Sequence, residues 1–131
     1  MRLFVDASAL IAVIAGEGDR VTLMETMRSS NELLWSSVAH WEAVAGLHHG
    51  HDLMIPEARE RVVAFGADNR FRTVVIGDAE TAIALDAYET YGKGRHPARL
   101  NMGDCLAYAC AKANQARLLY KGDDFAQTDL A

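Results

Sequence analysis

The chain lacks most of what marks an extracellular, fibrous or membrane protein. Its two cysteines, Cys105 and Cys110, are too few for a disulfide framework. They fall five apart in an apolar helical pattern and read as small buried hydrophobes. Two prolines and ten glycines in 131 residues leave no linker, low-complexity tract or long repeat. No run is long enough to cross a bilayer core of roughly 30 Å. The apolar opening from Leu3 to Ala15 is interrupted by Asp6, and Arg2 is its only leading basic residue, so it reads as a strand entering a helix rather than an export signal. A cytoplasmic location is the resulting default. An excess of positive charge is missing too: the net charge is −5, which argues against a general basic nucleic-acid binder. It does not argue against a protein that gathers acids in one place. With four acids set aside for such a site, about −1 remains for the rest.

What is present is a core. Half of the residues are apolar, enough for one folded domain spanning 1–131. Arg2–Asp6 is apolar and reads as a buried parallel strand, followed by a helix Ala7–Ala15 that Gly16 and Gly18 end. Asp19 or its neighbours open a second helix to about Ser29. Leu33–Ser36 reads as a short strand, with Ser37 as N-cap of a helix Val38–His49 closed by Gly50. Pro56 suits the first turn of a helix reaching about Asn69. Thr73–Ile76 is a β-branched strand, and Asp78 caps a helix Ala79–Tyr91. Gly92–Arg99 is a basic loop. Asn101 then caps a helix to about Ala116, with Asp104 three residues on as in a capping box. Leu118–Tyr120 is a last buried strand before the turn Gly122–Asp124. Strands and helices alternate, so the class is α/β with a mainly parallel sheet. Sites on such sheets open beyond the carboxyl ends of the strands.

The polar residues at those ends are acids. Asp6 ends the first strand, and Asp123 and Asp124 follow the last. Glu42 lies early in the helix after the second strand, and Asp104 in the first turn of its own helix, where an anion is favoured. Several convergent carboxylate oxygens are what Mg²⁺ or Mn²⁺ requires. Each acid also has a plainer reading. Asp104 serves as a cap, Glu42 as a solvated helix residue, and Asp123 and Asp124 as turn residues. Asp6 resists the plain reading, because an acid closing an apolar strand is costly unless something pairs with it.

These segments resemble a known family. FVDASALIAVIAGE is similar to the opening of VapC-type PIN-domain toxins, and SSVAHWEAVAGL to their second motif, a helix bearing one Glu. YGKGRHPARLNMGDCLAYACAK and LLYKGDDFAQTDL resemble the third motif and closing segment of one VapC subgroup. The resemblance implies a PIN fold and a Mg²⁺-dependent endoribonuclease in which Mn²⁺ substitutes. It also implies a cognate VapB-type antitoxin that blocks the site, and a homodimer within a larger toxin–antitoxin assembly. It makes Asp6 and Asp104 metal ligands, with Glu42 completing the acidic site. The closing acid falls at Asp124, which directly precedes Phe125, rather than at Asp123. Ser8 takes a supporting place, orienting Asp6 or a phosphate.

Other features suggest binding. Lys93, Arg95, His96 and Arg99 crowd the loop before Asp104, and Lys121 stands beside the closing acids. Arg95, Arg99 and Lys121 are candidates for contacts to an RNA backbone. His48, His49 and His51 lack a Cys or Asp partner at ligand spacing and read as helix-end cations. Trp35 and Trp41 offer rings to bases but read more simply as core or interface. A phosphatase of the haloacid dehalogenase class would need a second Asp two residues after the first, where Ser8 stands. A PIN-fold nuclease of RNA processing without antitoxin, and a non-catalytic binding module, are the remaining alternatives.

Overall fold

The computed structural model describes all residues, 1–131. Four strands, β1 (Arg2–Val5), β2 (Glu32–Trp35), β3 (Arg72–Thr73) and β4 (Arg117–Leu119), form one sheet in the order β3-β2-β1-β4. Every pairing is parallel, with Phe4 opposite Leu34 on one side and Leu118 on the other. Six helices accompany it: α1 (Ala7–Ala15), α2 (Arg20–Arg28), α3 (Ser37–His51), α4 (Ile55–Asp68), α5 (Asp78–Tyr91) and α6 (Met102–Ala113). The expected α/β class with a parallel sheet is what the chain adopts.

Leu3, Phe4 and Val5 are all buried, so β1 presents no wet face and reads as a continuous apolar run. The chain builds outward from β1 through β2 to β3, then returns to the other side of β1 with β4. That reversal leaves a crevice between the carboxyl ends of β1 and β4, the place where doubly wound sheets bind ligands.

Several boundaries differ from those the sequence suggests. β1 stops at Val5: Asp6 still donates its N–H to the Leu119 carbonyl, but its side chain caps α1 and the chain turns into that helix. The cap of α3 is Ser36, whose Oγ accepts the Ala39 N–H at 3.0 Å, and Ser37 is already helical. Gly50 does not close α3. The helix runs on to His51, and Asp52 takes the left-handed position at φ 58°, which a short polar side chain tolerates. The strand expected at Thr73–Ile76 shrinks to Arg72–Thr73. β2 ends at Trp35, and once Val74 donates to the Trp35 carbonyl at 2.8 Å no partner backbone remains. Gly77 caps α5 instead of Asp78, its N–H held by Glu80 Oε1 at 2.7 Å. α6 ends at Ala113 rather than near Ala116.

The core places Trp35 between the sheet and α4, stacked on His40 and tilted against Phe71, with its Nε1–H donating to Thr73 Oγ1 at 3.0 Å. Gly66 of α4 makes room for it: a Cβ there would lie 2.5 Å from the Trp35 ring. The Gly66→Ala variant is therefore expected to lose about 1–3 kcal/mol from overpacking, despite alanine's better helix propensity. Denaturant titration reads this as a lower midpoint at unchanged slope.

Candidate active site

Asp6 is 6% exposed and sits at the crevice, with its own N–H donating to the Leu119 carbonyl of β4 at 2.9 Å. Its Oδ2 accepts the Ser8 N–H at 3.0 Å and the Ser8 hydroxyl at 2.6 Å. The Ser8 Oγ in turn accepts the Lys121 N–H at 2.9 Å, tying α1 to the segment after β4. Burial raises the Asp6 carboxyl above its usual range, the Ser8 hydrogen bonds oppose this, and the charge of Asp124 adds to it.

Asp104 enters from α6. Asn101 caps that helix reciprocally: its Oδ1 accepts the Asp104 N–H at 2.9 Å, and Asp104 Oδ2 accepts the Asn101 N–H at 3.1 Å. The capping box is therefore real, yet capping is not all that Asp104 does. It is only 8% exposed, and burial followed by the charges of Asp124, Asp6 and Glu42 pushes its pKa up to about 7. Glu42 reaches across from α3. Its carboxylate lies over Gly103, where a Cβ would meet Oε2 at 2.1 Å. Burial and the charge of Asp6 push the Glu42 pKa up to about 7.

Asp124 stands on the exposed turn after β4, anchored by the buried Phe125, whose ring packs edge-on against Tyr120. Its charge is felt by both Asp6 and Asp104. Asp123 lies beside it and is not among the main causes of either shift. Asp6, Glu42, Asp104 and Asp124 thus come together from four parts of the chain. Next to them opens a cleft of about 380 Å³ lined by Asp104, Asp123, Asp124, Lys93, Arg99 and Gln127 among others.

The basic residues separate. Arg99, held at φ 56°, and Lys93 line the cleft. Arg95 turns away, its guanidinium 4.9 Å from the Tyr88 ring centre. The Lys121 ammonium pairs with Glu17 and, at 3.3 Å, with Asp19, so its charge is spent on two acids. The three histidines lie in the last turn of α3, with His51 on Glu17 at 2.9 Å and His48 Nδ1 on the Leu53 carbonyl at 2.8 Å. Gly103, Gln127 and the Glu17–Asp19 pair were not foreseen. Gly103 carried the one available signal, since a glycine inside a helix start marks close approach.

Comparisons with known proteins identify the family. The PIN domain family profile matches residues 3–130. A VapC ribonuclease of Rhizobium meliloti is 39% identical over 140 residues, covering 97% of this chain and 98% of the relative. Ribonuclease VapC30 of Mycobacterium tuberculosis is 36% identical over 137 residues, covering 98% and 96%. Among solved structures, Mycobacterium tuberculosis VapC20, described as a sarcin-ricin loop cleaving toxin, superposes with a TM-score of 0.74 at 16% identity over 95% of this chain and 92% of that one. A toxin–antitoxin complex from Klebsiella pneumoniae gives a TM-score of 0.70 at 18% identity over 99% and 94%. At those identities the structural likeness speaks for the fold alone, but the sequence relatives go further: the chain belongs to the PIN-domain family, among its VapC ribonucleases.

Proposed function

We propose that the chain is the toxin of a type II toxin–antitoxin pair, acting in the cytoplasm as a Mg²⁺-dependent endoribonuclease that hydrolyses RNA phosphodiester bonds. The observation that carries this is the convergence of four carboxylates at the β1–β4 crevice, where the charge of Asp124 raises the proton affinity of Asp6 and Asp104, and that of Asp6 raises the proton affinity of Glu42 and Asp104. Such mutual repulsion is costly for a scaffold and useful for a cation site. The donor set is all hard oxygen, which suits Mg²⁺ with Mn²⁺ as substitute. No three His, Cys, Asp or Glu side chains form a set that would enclose a metal by themselves. Mg²⁺ takes one or two carboxylates and keeps its other positions for water and phosphate, so the reading asks only for Asp6 and Asp104.

In this reading Asp6 and Asp104 hold the metal, which when bound polarises the phosphoryl oxygen and acidifies water. Ser8 fixes the Asp6 rotamer through its 2.6 Å hydrogen bond. Glu42, with a pKa of about 7, accepts the proton of the attacking water. Asp124 closes the acidic ring. Arg99 and Lys93 steady the RNA backbone in the cleft. Val21 on α2, and Ile55 and Val63 on α4, are exposed apolar residues that suit a VapB-type antitoxin. Leu85, Tyr88 and Met102 border an apolar hollow of about 520 Å³ between α5 and α6 that suits toxin–toxin contact in a homodimer.

Purified protein is expected to cut RNA with Mg²⁺ and to stop in EDTA, and Asp6→Asn is expected to be inactive. Full cleavage by Asp6→Asn would sink the assignment. Salt titration of RNA binding separates the cations. Arg99→Ala should lower the slope of log affinity against log salt by about 0.7, one phosphate contact to a single strand. Lys121→Ala should leave it unchanged, because Glu17 and Asp19 already neutralise that ammonium.

A further inference from the structure

The ion pairs of Lys121 stand next to the acidic site without belonging to it. Glu17 and Asp19 lie in the turn between α1 and α2, and Lys121 lies two residues beyond β4. Glu17 Oε1 and, at 3.3 Å, Asp19 Oδ1 meet the Lys121 ammonium from that turn. Asp19 Oδ1 is buried and makes no well-aligned hydrogen bond, so the contact with the ammonium is what compensates it. The other oxygen of Glu17, Oε2, meets His51 Nε2 at 2.9 Å, which steadies the carboxylate from the end of α3. The turn itself is fixed. Gly16 takes the left-handed position at φ 77°, the Glu17 N–H donates to the Ala12 carbonyl at 2.8 Å, and Arg20 Nη1 donates to the Gly16 and Glu17 carbonyls at 3.3 and 3.1 Å. Part-exposed ion pairs add little to global stability, so the gathering of these charges has a local consequence instead.

That consequence runs through the Lys121 backbone. Its N–H donates to Ser8 Oγ at 2.9 Å, and Ser8 donates its hydroxyl to Asp6 Oδ2 at 2.6 Å. A hydroxyl has one proton to give, and with the Lys121 N–H on an acceptor position of Oγ that proton is aimed at Asp6. Gly122 follows at φ 96°, a swivel between this anchor and Asp124. We propose that Glu17 and Asp19 are positioning residues for the metal site: by gripping the Lys121 ammonium they hold the Lys121 N–H on Ser8 and, through Ser8, the Asp6 carboxylate in the rotamer that a cation requires. This rests on the metal-dependent ribonuclease reading above. Neither acid touches the cation or the RNA, and both act through Lys121.

Mn²⁺ binding to the full-length protein without RNA, followed by loss of the free ion's spin-resonance signal, tests this, because charge and positioning predict opposite signs. Lys121→Met removes a cation beside an acidic cluster, which by charge alone should tighten Mn²⁺. Positioning predicts the reverse. Groups that orient a metal ligand directly are worth about 10–100-fold in affinity, and a grip one step further out should raise the dissociation constant about fivefold. Lys121→Arg should stay within about twofold of wild type, because the charge and the grip remain. Glu17→Gln with Asp19→Asn should weaken Mn²⁺ by about the same factor as Lys121→Met, and joining all three changes should cost nothing more, since they break one link. Amide exchange without metal is the second readout. The Lys121 N–H should exchange about tenfold faster in the Glu17→Gln, Asp19→Asn chain, while the amides of β1 keep wild-type protection. Lys121→Met binding Mn²⁺ as tightly as wild type or tighter overturns the proposal, and so do multiplying effects of the acid pair and Lys121→Met, or an unchanged Lys121 exchange rate. Faster exchange that includes β1 assigns the ion pairs to global stability and overturns it as well. All of these leave the metal reading standing. A wild type that takes up no Mn²⁺ overturns that reading and the proposal with it.

Discussion

Asp104→Asn is expected to cut RNA at least about 100-fold more slowly and, at pH 8 without metal, to be more stable than the wild type. The first effect follows from removing a charge that would hold the metal in the proposed mechanism, a contribution of several kcal/mol at about 1.4 kcal/mol per tenfold. The second follows from the electrostatics of the cluster. In the unfolded chain an aspartate titrates near pH 3.9, whereas folded Asp104 titrates at about 7. Between those values the folded protein holds a proton that the unfolded chain has released. Stability therefore falls as pH rises through that window, and the whole penalty is present above about pH 7. The gap between those two values sets a ceiling of about 4 kcal/mol, and relaxation of the exposed Asp124 turn brings the expected gain to about 1–2 kcal/mol. Asn has no proton to lose and still accepts the Asn101 N–H, so the cap survives. Thermal unfolding in EDTA should show a rise of about 4–8 °C at pH 8 and almost none at pH 4. Equal destabilisation at both pH values would mean that Asp104 is only a cap.

Gly103→Ala should separate activity from stability in another way. The new Cβ would lie 2.1 Å from Glu42 Oε2 and 2.7 Å from its Cδ. The Glu42 carboxylate is the free end of a flexible side chain, so it swings out while the backbone of α6 stays in place. Alanine is the better helix former by up to about 1 kcal/mol, and the melting temperature should hold or rise slightly. Cleavage should fall about 100-fold, the lower range for losing a positioned general base. Gly50→Ala is the control: it is also inside a helix, but its Cβ would meet nothing within 4 Å, and activity should not change. If Gly103→Ala kept full activity, Glu42 would not act from the position it occupies over α6.

The sequence made the parts of the site legible and left their connections hidden. Asp6 stood out because an acid ending a buried strand demands a reason. Asn101 and Asp104 announced themselves by capping-box spacing, and the alternation of strands and helices implied the sheet edge where they meet. Long-range pairings carry no local signal. Nothing near Lys121 indicates that Glu17 and Asp19, in the turn between α1 and α2, take its charge. Nothing near Arg95 indicates that it lies over the Tyr88 ring rather than in the cleft. β3 is shorter than its β-branched residues suggest, because β-propensity measures what a residue tolerates, whereas strand length is set by the partner, and β2 ends at Trp35. The end of α3 is equally hidden from local sequence, since Gly50 stays helical and Asp52 performs the left-handed turn.

The central claim is that Asp6 and Asp104 hold one divalent cation at the crevice between β1 and β4. Diffraction from crystals soaked in Mn²⁺, recorded at the manganese absorption edge, tests it most directly. The account predicts an anomalous peak in contact with carboxylate oxygens of both Asp6 and Asp104, absent from Asp6→Asn crystals treated in the same way. No peak there at saturating Mn²⁺, or a peak that survives in Asp6→Asn, would contradict it.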